Sequence, residues 1–300
     1  MNTLRLGTRK SALAQAQTNW VINQLRAAIP DLKTEVVLIV TSGDKGVEGG
    51  SANLKAAFTK EIEEALLDNR IDLAVHSLKD LAAELPKGLA LAAVPAREDP
   101  RDAWIGKAGV RFREAPQVAR VATGAVRRQA QLKHLRPDLE VVTIRGNVDT
   151  RLRRWEEGGF DGMILALAGL KRLGRADVAT EILSIETMLP AIGQGALALE
   201  ARQGDAVAHP FLMAIDDPLS HQAVLAERAF LRALGGTCQT PIAAHCQVTG
   251  DRLMLTGMVV DPSGTPCFRA VNGGHARDAD RVGQHLARSL LERGADKLLS

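Results

Sequence analysis

Ile71-Asp72-Leu73-Ala74-Val75-His76-Ser77-Leu78-Lys79-Asp80 is the stretch that decides the fold. A short apolar run over Ile71–His76 predicts a strand, and the run stops on the polar turn Ser77 to Asp80. Just upstream, Ser51 to Asn69 places Leu54, Phe58, Ile62 and Leu66 on one helical face. Before it come a β-rich run over Thr34–Val40, a helix from Ser11 to about Ala27, and a short strand over Leu4–Gly7. Strand and helix alternate, which predicts an α/β chain whose mostly parallel sheet is covered by helices.

Downstream the alternation repeats. Pro95 to Pro100 reads as a crossing between domains. Strands follow at Val118–Ala122, Leu139–Ile144 and Asp161–Leu167, with helices expected from about Val126 and Asp149 and a short one after Leu167. Pro190 to Gly195 reads as a second crossing, and Ala196–Ala201 resumes a strand. From Leu219 the pattern changes: a helix to Leu234, a glycine loop, strands near Cys246–Val248, Leu253–Val259 and Cys267–Val271, and a helix from Ala279 to Arg293. Antiparallel strands with helices on one side suit this last part. Three hundred residues exceed what one hydrophobic core usually spans. The expected division is 1–96 with 196–215, then 97–195, then 216–300.

Composition excludes several function classes. Aromatic residues make up 3% with no tyrosine, too few to stack bases along a groove. The net charge is +3, so no global nucleic-acid footprint is present. No run approaches the roughly 18 apolar residues of a membrane span. The N-terminus lacks an apolar signal core, and Cys238, Cys246 and Cys267 lack metal-ligand spacing, so a cytoplasmic protein is expected. The glycines at 43, 46, 49 and 50 meet neither nucleotide fingerprint. Charge is concentrated locally: nine arginines and lysines lie between Arg120 and Arg154, opposed only by Asp138, Glu140 and Asp149. That excess points to an anionic ligand. The unusual polar sequences, Thr8 to Ser11, His76 to Asp80, Thr123 to Arg128 and Arg145 to Asn147, all follow strands. Parallel sheets bind ligands there, beside helix N-termini.

Eight segments in order, LRLGTRKSALAQAQ, HSLKDL, AREDPRDA, RRQAQL, RGNVDTRL, ILALAGLKRLG, PAIGQGA and LGGTCQTPI, resemble those of hydroxymethylbilane synthases, also called porphobilinogen deaminases. The resemblance runs from about residue 4 to residue 242. It implies two periplasmic-binding-protein-like doubly wound domains plus a smaller α+β C-terminal domain with a three-stranded antiparallel sheet. It also implies a transferase that deaminates four porphobilinogen molecules and joins them head to tail on a dipyrromethane cofactor, releasing hydroxymethylbilane. A monomer with no nucleic-acid or membrane partner is expected.

Residue by residue, the resemblance makes Cys238 the cofactor attachment point and Asp80 the catalytic carboxylate. Lys79, Thr123, Arg127, Arg128 and Arg145 match cofactor contacts, joined by Asp80. Arg9, Ser11, Lys55, Phe58, Arg145, Arg151 and Gln194 match substrate contacts. The chemistry suits these types. A thiolate is a strong nucleophile, a carboxylate offsets cationic intermediates, and arginine forks match the acetate and propionate groups of pyrroles. His76 reads as a structural core histidine, and Cys246 and Cys267 as small buried groups. The chain departs from the family at Thr123-Gly124-Ala125-Val126, where Thr-Ser-Ser-Leu is usual, at the glycine-poor stretch Ser51 to Phe58, and at Ala82, where proline is usual. A catalytically impaired homologue and a cytoplasmic small-anion binding module are the alternative readings.

Overall fold

The computed structural model describes residues 3–45, 56–206, 208–235 and 240–299. They form two compact units, Met1–Glu98 with Ala196–His221, and Asp99–Gly195 with Gln222–Ser300. The first unit holds strands β1 (Leu4–Arg9), β2 (Thr34–Ile39), β3 (Leu73–Ser77) and β4 (Leu89–Ala93), with helices α1 (Ala12–Ala28) and α2 (Ala56–Leu67). The second holds β5 (Asp102–Gly106), β6 (Arg120–Ala122), α3 (Val126–Leu135), β7 (Glu140–Val142), α4 (Val148–Glu156), β8 (Gly162–Ala166), α5 (Leu167–Arg172) and β9 (Glu181–Ile182). The chain then returns to the first unit through β10 (Leu197–Arg202) and α6 (His209–Ile215).

The first sheet has the order β2-β1-β3-β10-β4. β1 runs parallel to β2 and β3, whereas β10 runs antiparallel to both β3 and β4. The sheet is therefore mixed, not simply parallel. The cause lies in where the chain re-enters: the Leu78 N–H donates to Ala196 O at 3.1 Å, so β10 starts beside the carboxyl end of β3 and must run back along it. Period-two alternation divides the two faces. Leu4, Leu6, Leu73, Val75, Leu197 and Leu199 pack with Val21, Ile22 and Leu25 of α1. On the other face Ile39 and Ala74 pack with Ile62, Ala65 and Leu66 of α2.

The second unit's large sheet repeats this plan in the order β7-β6-β8-β5-β9. β6 is parallel to β7 and β8, and β5 is antiparallel to β8 and β9. Its core surrounds Trp104, whose ring meets Phe112 edge-on at 5.3 Å and whose indole N–H donates to Val110 O. Helix α7 (Pro218–Leu234) leads into β11 (Ile242–Thr249), β12 (Arg252–Val260), β13 (Cys267–His275) and α8 (Ala279–Glu292). These three strands form a separate antiparallel sheet, as expected. At its centre Gly257 leaves room for the Phe230 ring and Leu286, which a Cβ there would meet at 2.6 and 2.9 Å. Residues 222–300 also share a core with 99–195: Ala130 and Leu189 pack on Ala243, Met258 and Val260. Cys246 is buried and Cys267 half-buried, its thiol pushed up by burial.

The sequence reading did not single out β4, β5, β9 or α6. β9 has two residues, and β5 begins two residues after Pro100, just past the stretch read as a crossing. No helix among the described residues is long and apolar enough to cross a membrane.

Candidate active site

In the first unit, β1 and β3 are neighbours, and their carboxyl ends place two of the expected polar groups along one sheet edge. Arg9 ends β1 and lays its guanidinium 4.2 Å from the centre of the Phe58 ring, a cation–π contact. Ser11 caps α1, its Oγ accepting the Ala14 N–H at 3.3 Å. Beyond β3, Leu78–Asp80 forms one tight 3-10 turn, closed by the Leu81 N–H donating to Leu78 O. The turn leaves Lys79 half-exposed and Asp80 exposed. The Asp80 carboxylate has no hydrogen bond or ion pair among the described residues, so its oxygens are accessible to a ligand. Beneath it, Ser77 Oγ accepts from Gln17 Nε2 at 2.7 Å. Lys55 and Cys238 lie outside the described residues.

His76 points to the α2 face and is buried. Its Nε2 lies 3.0 Å from Glu200 Oε2, which is itself fully buried. Glu63 stands nearby: burial, reinforced by the Glu200 charge, holds its carboxyl above the ordinary range despite the Thr59 hydrogen bond.

In the second unit, Thr123 follows β6, is fully buried, and accepts the Ala125 N–H on Oγ1 at 3.4 Å. Ala125 is the N-cap of α3 and offers no side-chain acceptor, so the first-turn N–H groups lack that partner. Gly124 is required by its neighbour: a Cβ there would fall 2.3 Å from Ile144 O. Arg145 is exposed after β7. Arg151, in the first turn of α4, is half-buried and donates from Nε to Gly146 O at 2.8 Å.

Arg127 and Arg128, expected as contacts of cofactor carboxylates, are almost fully buried and converge on Asp102 at the start of β5. Arg127 Nη1 donates to Asp102 Oδ2 (2.8 Å) and Leu189 O (3.0 Å). Its Nη2 donates to Asp102 Oδ1 (3.1 Å) and Gln194 Oε1 (2.8 Å). Arg128 Nη2 donates to Asp102 Oδ1 at 2.7 Å, and Nη1 to Ile164 O at 3.2 Å. Burial alone would raise the Asp102 carboxyl, but the Arg127 and Arg128 charges outweigh it and hold the group ionised, well below the usual carboxylate range. Burial likewise pulls Arg127 down against the opposing Asp102 charge. Gln194, expected as a substrate contact, is also buried, its amide committed to Pro100 O, Asp102 and the two arginines. Sequence reasoning passed over Asp102. The available signal was an aspartate opening the otherwise apolar DAWIG.

The cluster has a property that matters for ligands. Two guanidinium charges face one carboxylate, and Arg128 Nε is buried with no hydrogen-bond partner among the described residues. An unneutralised buried positive charge with a vacant donor fits an anionic group. Among the described residues no cluster of histidine, cysteine or acidic side chains could hold a metal ion.

Comparison with known proteins agrees with this chemistry. Residues 4–209 match the family model for "porphobilinogen deaminase, dipyromethane cofactor binding domain", and residues 221–292 match "porphobilinogen deaminase, C-terminal domain". The porphobilinogen deaminase of Syntrophotalea carbinolica is 49% identical over the whole chain and 96% of that relative. That of Thermus thermophilus is 46% identical over the whole chain and 99% of the relative. Fainter likenesses among solved structures include a YaeC-family lipoprotein of Enterococcus faecalis, with TM-score 0.45 and 13% identity over 72% of this chain and 92% of that one. Another is an arginine-specific periplasmic binding protein of Salmonella typhimurium, with TM-score 0.40 and 15% identity over 74% and 94%.

Proposed function

Because the chain belongs to the porphobilinogen deaminase family, we propose that Asp80, Cys238 and the arginines around the strand ends carry out its reaction. Four porphobilinogen molecules and one water become one hydroxymethylbilane and four ammonia. When bound, the dipyrromethane would supply a free pyrrole α-carbon as the primer to which the first porphobilinogen unit is joined. Cys238 holds it through its Sγ. Lys79, Arg128 and Arg145 bind its carboxylates, and the vacant buried Nε of Arg128 is the observation in favour of this fit. Thr123 and the first-turn N–H groups of α3 support the same subsite.

Asp80 is the group that moves protons. Its exposed, unpartnered carboxylate oxygens accept a pyrrole N–H, offset the positive charge that develops as ammonia leaves, and receive the α-proton when aromaticity returns. Arg9, Arg145 and Arg151 bind the acetate and propionate groups of incoming porphobilinogen. Phe58 holds the Arg9 guanidinium in place, and Lys55 adds a further positive charge. Ser11 keeps its hydroxyl hydrogen available, since its oxygen is the acceptor in the α1 cap. Gln194 acts on the arginine pair and not on substrate.

The accessible Asp80 carboxylate at the end of β3, beside the Arg9 end of β1, carries this reading. A small-anion binding module has no use for such a carboxylate, and the family match does not favour it. We propose in addition a cytoplasmic monomer with three functional segments, 1–96 with 196–215, 97–195 and 216–300. Intact-mass spectrometry of chain made in a host that supplies porphobilinogen tests the site. A mass excess of two pyrrole units, absent from Cys238→Ala, is expected. An unmodified wild-type chain refutes the assignment.

A further inference from the structure

Asp102 opens β5 with no exposed surface and serves as shared acceptor for two adjacent arginines. Together with Gln194 it forms a frame. Gln194 Nε2 donates to Asp102 Oδ1 at 2.8 Å and to Pro100 O at 2.6 Å, while its Oε1 accepts from Arg127 Nη2 at 2.8 Å and from Arg128 Nη2 at 3.4 Å. Within this frame the two arginines differ. Every Nη hydrogen of Arg127 has an acceptor: both Asp102 oxygens, Leu189 O and Gln194 Oε1. Arg128 is tied down by Nη2 and by one Nη1 bond to Ile164 O, and its buried Nε has no acceptor among the described residues. A core ion cluster that served stability alone would have its charged donors satisfied and its charges balanced. This one has a donor to spare and an excess positive charge.

We propose that Asp102 is the positioning residue of the cofactor subsite. It holds Arg127 as an inner arginine that balances charge and steadies the frame, and it fixes Arg128 so that its Nε remains the donor for a cofactor carboxylate. The inference rests on the role given to Arg128 above. It predicts that cofactor loading depends on a residue which never touches the cofactor. Asp102→Asn keeps the shape and one acceptor but leaves two like charges buried side by side, so the guanidinium groups move apart and the vacant donor is lost.

The test loads wild type, Asp102→Asn and Asp102→Glu with porphobilinogen at graded concentrations. Intact mass reads the fraction of chains carrying two extra pyrrole units, and circular dichroism and thermal midpoint are measured on the same samples. Folded Asp102→Asn is expected to need about tenfold more porphobilinogen for half-loading, the scale of one lost charged hydrogen bond, and Asp102→Glu to recover part of the loss. Should Asp102→Asn be insoluble, Gln194→Met, which keeps the charges and removes the second acceptor, is expected to show the same shift. Wild-type loading by the folded variant, even with a lowered thermal midpoint, makes Asp102 merely structural and overturns the proposal alone. A wild type that never gains the mass overturns the functional reading with it.

Discussion

Replacing Gly124 by serine, the residue type usual in the family at that place, is expected to destabilise this chain. Its backbone brings an ideal Cβ to 2.3 Å from Ile144 O, more than 1 Å inside ordinary contact, and the obstacle is main chain that no rotamer change can move. Overpacking of this kind costs about 1–3 kcal/mol. About 2 kcal/mol corresponds to a thermal midpoint lower by about 4–8 °C for a unit of this size. The adjacent departure has the opposite sign. Ala125 sits at the N-cap of α3 with φ −98° and ψ 118°, the extended geometry of a capping residue, and makes no side-chain cap bond. Ala125→Ser supplies an acceptor for the N–H of Arg127, the Arg128 N–H already donating to Ala125 O, and is expected to gain about 1 kcal/mol, or about 2–4 °C. Scanning calorimetry of both single variants and the double variant checks the pair, with the double falling between them. A Gly124→Ser midpoint at or above wild type, or an Ala125→Ser midpoint below it, refutes the reasoning.

Asp80→Asn is expected to unfold within about 0.5 kcal/mol of wild type, since the exposed carboxylate has no partner to lose among the described residues, while kcat falls by about 10²–10⁴; turnover near wild type removes Asp80 from its role. Arg128→Leu is expected to lower both the cofactor complement by mass and the thermal midpoint, because Ile164 O and Asp102 lose a buried donor; a full complement counts against the cofactor assignment. Glu63 is raised in the folded chain by burial and by Glu200. Its contribution to stability therefore declines as pH rises through that raised value and is restored below the ordinary glutamate value near about 4.3. Glu63→Gln removes the decline. Urea midpoints should show the variant more stable than wild type at pH 7 and equal to it below about pH 4; equality at pH 7 would show that Glu63 is not strained by its burial.

Much of this is legible in the sequence. Apolar periodicity placed β1, β3, α1, α7 and α8 to within a few residues, because each buries a continuous face. The reading that ligand groups follow strand ends places Arg9 and Asp80 on neighbouring strands, since β1 and β3 are both parallel and adjacent. The arginines were less legible. Arg127, Arg128, Arg145 and Arg151 look alike in a charge count, yet two are core residues and two reach solvent. What separates them is Asp102, twenty-five residues before Arg127, and sequence spacing says nothing about that encounter.

The sequence by itself determined the element types, the membership of the family and the residue types that its reaction needs, because these depend on local pattern and on order along the chain. Tertiary structure alone decided the antiparallel return of β10, the close approach of Ile144 O to Gly124, and the pairing of Arg127 and Arg128 with Asp102 and Gln194. Each of those arises from segments separated in the chain that meet only in the folded state. There a charge must find a partner, and a backbone carbonyl determines whether its neighbour can carry a side chain at all.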